Sequence, residues 1–160
     1  MRANSRKACN WIRSTIDFKR CYPILESPMA GADAKIVKFM EELPASCPPL
    51  GAGPFAYETV YRFVNSQPVT DGDFDSHQAL EKNGGRKRPR SVAPCVWAAT
   101  SFFLSRDTAY EALPKPRERF KFLVQVTITK QCGVSILRRS HISFWRYDTF
   151  KASVHGYESL

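Results

Sequence analysis

Polar and apolar residues alternate most regularly over positions 120–129, FKFLVQVTIT, where Phe120, Phe122, Val124, Val126 and Ile128 interleave with Lys121, Gln125, Thr127 and Thr129. A period of two sends successive side chains to opposite faces, so this stretch predicts the principal strand of the chain. ETVYRFVN (58–65) alternates similarly, is rich in β-branched and aromatic residues, and predicts a second strand with Arg62 among its apolar side chains. CVWAAT (95–100), Val134 to Leu137 and SHISFW (140–145) read as further strands, with Gly133 marking a turn.

Helical spacing is scarcer. In DAKIVKFMEEL (33–43), Ile36, Val37, Met40 and Leu43 lie three and four apart, which predicts a short amphipathic helix with Asp33 near its N-cap and its apolar stripe on the core. QPVTDGDFDSHQAL (67–80) reads as a turn entering a short helix capped by Asp75 or Ser76. Residues 105–113 predict a helix capped by Ser105 or Asp107 and stopped by Pro114 and Pro116, and the tail over 148–154 predicts a terminal helix. PASCPPLGAGPF (44–55) carries four prolines and two glycines, which leaves room only for a linker. The organisation expected is therefore a basic N-terminal extension over 1–54 with one helix and a Pro-rich linker. An α+β core follows over 55–160, built of small mixed or antiparallel sheets with a few flanking helices.

Composition turns that outline towards an anionic partner. With 160 residues, 43% of them hydrophobic, the chain can bury a real core, and its formal net charge of +9 favours nucleic acid, a phosphate-bearing ligand or an acidic protein. Five cysteines at wide spacing (9, 21, 47, 95 and 132) form no CxxC pair, so zinc is not indicated and reduced thiols are the expectation. Neither a run of about 18 apolar residues nor the apolar centre of a secretory signal is present. The expectation is a soluble, cytoplasmic protein with no membrane span, or one delivered to a target cell without a cleaved signal. Residues 1–28 place Trp11, Ile12, Ile16 and Phe18 among six Lys and Arg, which reads as a peripheral extension or a basic amphipathic segment, and Met29 offers a second start.

Candidate chemistry is distributed along the chain. A buried arginine must be paired or must face a ligand, which singles out Arg62. Asp71, Asp73 and Asp75 alternate, but the glycine and terminal glutamate of an EF-hand are missing, so an acidic turn and cap is the better reading and no metal is expected. KNGGRKRPR (82–90) gathers Lys82, Arg86, Lys87, Arg88 and Arg90 for phosphate or nucleic-acid contact. His141 titrates near neutral pH and suits an acid, a base or a ribose clamp, whereas Trp97 and Trp145 read as core.

The order of an arginine-bearing strand, a basic loop, a strand ending in Thr100 and Ser101, a helix beginning near Ser105, a long strand and SHISFW resembles the ADP-ribosyltransferase superfamily. The pattern also resembles small bacterial proteins with an early Tyr-Arg, an Asp-Phe-x-Ser segment and a late His-x-Ser/Thr-x-Trp, here Tyr61 with Arg62, Asp73 with Phe74 and Ser76, and His141 with Ser143 and Trp145, and the likeness spans about 85 of the 160 residues. The superfamily resemblance implies a split-sheet core with NAD as substrate. Arg62 would hold the nicotinamide ribose or phosphate, Thr100, Ser101 and Ser143 would line the pocket, and Tyr110 would stack. His141 and Arg62 would be catalytic. The superfamily's late glutamate, in an ExE or QxE setting, has no counterpart at that place, which His141, Ser143 and Trp145 occupy.

Three functions follow. The first is a bacterial toxin or effector module binding NAD or a related nucleotide. The second is an RNA-binding or RNA-cleaving protein in which His141 activates a 2′-hydroxyl. The third is a non-catalytic interaction module whose basic surface meets an acidic partner, such as an antitoxin or immunity protein.

Overall fold

The alternation over 120–129 does form a strand, and it lies inside one six-stranded antiparallel sheet. The computed structural model describes residues 37–113 and 115–160. Its strands are β1 (Tyr57–Val64), β2 (Thr100–Phe103), β3 (Phe122–Ile128), β4 (Gly133–Arg138), β5 (His141–Arg146) and β6 (Ser153–Ser159), in the spatial order β4-β5-β2-β1-β3-β6. Three short helices accompany them: α1 (His77–Lys82), α2 (Pro94–Trp97) and α3 (Arg106–Ala112). The fold is thus α+β with an antiparallel sheet.

The alternation that predicted the strands also divides the sheet into two faces. On one lie Val60, Val64, Val124, Val126, Phe102, Ile142 and Phe144, sealed by Phe74 and Phe150 into the larger core. On the other, Phe63 and Leu123 are covered by Ala109 and Tyr110 from α3, by Leu113 at its C-cap and by Phe120. Helix α3 begins where expected, because the Ser105 hydroxyl accepts from the Thr108 N–H. Ser76 caps α1 in the same way through the Ala79 N–H.

Several expectations are corrected. CVWAAT is not a strand: Pro94 sits at the start of a helical turn, and the strand begins only at Thr100. Gly133 opens β4 rather than a turn, because a Cβ there would meet the Trp145 carbonyl and lie 2.7 Å from Phe144 Cζ. The tail is not a terminal helix, since the edge of β3 offers it a ladder and it pairs there as β6. Within the predicted helix over 33–43, residues 33–36 lie outside the described residues and 37–43 are not helical. Phe39 instead bridges to Tyr147, the Met40 N–H donates to the Arg146 carbonyl at 2.9 Å, and Val37 and Met40 stay exposed. The readings of residues 1–28 and of Met29 also fall outside the described residues.

The 44–55 stretch contains no regular element, but Gly53 exchanges two backbone hydrogen bonds with Ser135 on β4. Cys47 is joined to Cys95 by a disulfide, contrary to the expectation of reduced thiols, while Cys132 is free and buried. Spacing along the sequence could not reveal this pair, because it depends on two distant backbones standing 5.4 Å apart at their Cα atoms. No described helix is long and apolar enough to cross a membrane.

Candidate functional site

Arg62 reaches into the opening between β1 and β2, which share the single registered pair Tyr61↔Phe103. Its guanidinium donates to three backbone carbonyls, from Nε to Asp73 O at 2.6 Å, from Nη1 to Ser101 O at 2.8 Å and from Nη2 to Asp75 O at 3.1 Å. Phe74 and Phe102 lie beneath it, 5.9 and 5.8 Å from ring centroid to Cζ. Burial first, and then the charge of Arg146, lower its pKa to about 10, so it remains a cation at neutral pH. All three nitrogens are engaged in tying the 71–76 turn to the split in the sheet. Each nitrogen of the arginine that the resemblance assigns to NAD thus already donates to a backbone carbonyl, as a structural clamp would.

Arg146 on β5 repeats the arrangement. Its side chain is nearly inaccessible, and Nη2 lies 3.1 Å from Asp75 Oδ1 and 3.3 Å from Glu41 Oε1 while Nη1 donates to Asp71 O. Glu41 also accepts from the Ser76 N–H and hydroxyl, which anchors the 37–43 strap to the same turn. Burial alone would raise the Asp73 carboxyl, but the N–H groups of Thr70 and Asn65 and the Thr70 hydroxyl outweigh it and hold it below its ordinary range. Asp73 thus serves as a cap and Asp75 as an ion-pair partner while Asp71 contributes its backbone carbonyl, and among the described residues no group of three or more His, Cys, Asp or Glu is set to hold a metal.

Thr100 lies on the same face as Arg62 and is buried, its hydroxyl donating to Phe74 O at 2.7 Å. Ser101, Ser143 and His141 lie on the opposite face, as the register pairs Ser101↔Ser143 and Phe103↔His141 require. The sheet therefore separates Arg62 and Thr100 from the other proposed ligands. Tyr110, on α3, donates its hydroxyl to Glu158 at 2.9 Å and packs on Phe63, so it belongs to the hydrophobic cluster and to β6 rather than to Ser101. Burial, then Glu158, raises its pKa.

Two imidazoles, His141 on the second face and His77 at the start of α1, lie close enough for the charge of one to act on the other. His141 is half-buried against Phe103, 5.5 Å between ring centroids, and burial lowers its pKa. His77, at the start of α1, stacks on Trp97 at 4.6 Å. Burial, followed by the charges of Arg62, Arg119, Arg86 and His141, pushes the His77 pKa down. Trp97 is fixed in turn by an Nε1–H bond to Glu81, whose carboxylate also receives the Arg88 N–H and so shapes the basic loop. Within that loop Lys82 is paired with Glu42 and Arg88 donates to Val92 O, whereas Arg86, Lys87 and Arg90 are exposed and make no ion pair among the described residues.

The sequence marked His141, Ser101, Ser143 and the loop, but it gave His77 no role because its companion Trp97 is twenty positions away. Arg146 did carry a legible signal, the same charge among alternating apolar residues that singled out Arg62. No protein-family model matches the chain, and no curated protein and no solved structure matches it.

Proposed function

We propose that the chain acts on RNA through the surface bearing His77 and His141. The observation carrying this reading is that two imidazoles, both held towards their neutral form, lie within electrostatic reach of one another and of Arg86 and Arg119, beside a loop whose Arg86, Lys87 and Arg90 make no ion pair among the described residues. In cleavage, neutral His141 takes the proton of a 2′-hydroxyl as that oxygen attacks phosphorus. The bond to the 5′-oxygen breaks, and His77, protonated in the field of the bound phosphate, supplies the proton to the leaving oxygen. Arg86, Lys87 and Arg90 neutralise neighbouring phosphates.

The test is single-stranded RNA binding and cleavage across a salt series. Contacts from about three loop cations give a slope near −2 in log K against log salt, since each phosphate contributes roughly −0.7. His141→Ala and His77→Ala abolish cleavage but keep affinity. Absence of RNA affinity at low salt overturns the proposal.

A second reading, an ADP-ribosyltransferase-like activity on NAD, is supported by one specific arrangement. A strand carrying Ser101 leads directly into a Ser105-capped helix that packs beside β1 and β2, opposite Ser143 and His141. In that reading Ser101, Ser143 and His141 receive the nicotinamide ribose, and Arg62 only holds the cleft open. Nicotinamide release from NAD tests it, and purified protein that neither binds nor consumes NAD sinks it.

A further inference from the structure

A cleft of about 230 Å³ lies on the same sheet face, lined by Tyr61, Arg106, Leu123, Gln125, Gly156 and Glu158 together with Tyr157. It is smaller than the roughly 300–1,000 Å³ of a drug-sized pocket and has room for a single ring system. Its floor is a cross-strand row, in which Gly156 pairs with Gln125 and Gln125 with Tyr61. The row continues from Tyr61 to Phe103 and from Phe103 to His141. Tyr61 and His141 are thus two strands apart, about 10 Å at the usual strand spacing, and Glu158 on β6 stands two strands beyond Tyr61.

The polar groups of the cleft are ordered before any ligand arrives. Gln125 Nε2 donates to the Tyr61 hydroxyl at 3.0 Å, which leaves the phenol proton and Gln125 Oε1 to a ligand. Gly156 keeps that amide open, since a Cβ there would lie 3.1 Å from Gln125 Oε1. At the mouth, Arg106 Nη2 lies 2.6 Å from Glu158 Oε1, and Tyr110 donates to the same oxygen at 2.9 Å. Glu158 Oε2 accepts nothing among the described residues, and Arg106 retains further N–H donors. A donor and an acceptor therefore stand side by side, which is the complement of a nucleobase edge.

We infer that this cleft is a nucleobase subsite that prefers guanine. The inference rests on the RNA reading and adds a specificity element to it. Guanine fits best because its O6 accepts from Arg106 while N1–H and N2–H both reach Glu158 Oε2. Adenine and cytosine can give that oxygen only one donor.

The experiment titrates guanosine, inosine and adenosine 5′-monophosphates into the isotopically labelled full chain and follows amide shifts. Guanosine monophosphate moves the amides of Tyr61, Gln125, Gly156 and Glu158 and binds about tenfold tighter than adenosine monophosphate, with inosine, which lacks N2, between them. Glu158→Gln keeps an oxygen for Tyr110 and Arg106 but reduces the guanosine preference to about unity, and Gly156→Ala weakens all three by narrowing the cleft. Equal affinity for the three nucleotides, shifts confined to His141 and the 82–90 loop, or an unchanged preference in Glu158→Gln overturns the inference. Failure of the RNA reading is seen separately, as absent RNA binding at low salt, because the mononucleotide titration reports on the cleft alone.

Discussion

Replacing Arg62 with leucine distinguishes a structural clamp from a ligand-holding arginine. The change removes three charged hydrogen bonds to the carbonyls of Asp73, Ser101 and Asp75. At about 1.5–3 kcal/mol for each bond to a charged group, the simple sum is roughly 4.5–9 kcal/mol. Part of this returns, because Arg146 is relieved of a neighbouring cation and the leucine still covers Phe74 and Phe102, so a net loss of about 4 kcal/mol is expected. In thermal unfolding that corresponds to a drop of roughly 15 °C for a domain of this size. Arg62→Lys recovers only a minor part, since an ammonium is a point charge and cannot span three carbonyls with a planar fork. Urea unfolding, followed through the buried tryptophans, reads the free energy directly. A loss below about 1 kcal/mol would refute the clamp. So would normal stability accompanied by loss of nucleotide binding, because that pattern is the signature of a ligand contact.

Further outcomes follow from the same geometry. Cys47→Ser with Cys95→Ser opens a link of sequence separation 48 and lowers stability by up to about 4 kcal/mol on the chain-entropy estimate; non-reducing peptide mapping checks the pairing and urea midpoints check the cost. Gly133→Ala drives a methyl into the Trp145 carbonyl and Phe144, costing about 3 kcal/mol in unfolding free energy. His141 and His77 have folded pKa values below the ordinary 6.5, so the unfolded chain binds more protons in the window beneath 6.5 and stability is lost as pH falls through it. Urea midpoints at pH 7 and pH 5 should therefore fall in the parent protein and fall less in His141→Asn.

Alternation alone located β1, β3 and β5, because a half-buried strand must place apolar residues at every second position whatever its neighbours are. Cap chemistry likewise located α1 and α3, since Ser76 and Ser105 satisfy orphan N–H groups within three residues of themselves. Elements decided by distant partners were not legible. The tail became β6 because β3 had an open edge, the 37–43 strap was drawn out by Tyr147 and Arg146, and Cys47 met Cys95 only after the sheet had formed.

The candidate site divides in the same way. Unusual chemistry was legible along the chain, in Arg62 among apolar side chains, a loop of cations and His141 beside hydroxyls. Which of these residues meet depended on strand register and on loops folding back over the sheet. A side chain's face follows from its parity along the strand and the register of its neighbours, and that register set Arg62 and Thr100 on one side of the sheet and Ser101, Ser143 and His141 on the other. The fold then satisfied Arg62 with carbonyls brought from the 71–76 turn and from β2, and set two histidines sixty-four positions apart within reach of each other's charge.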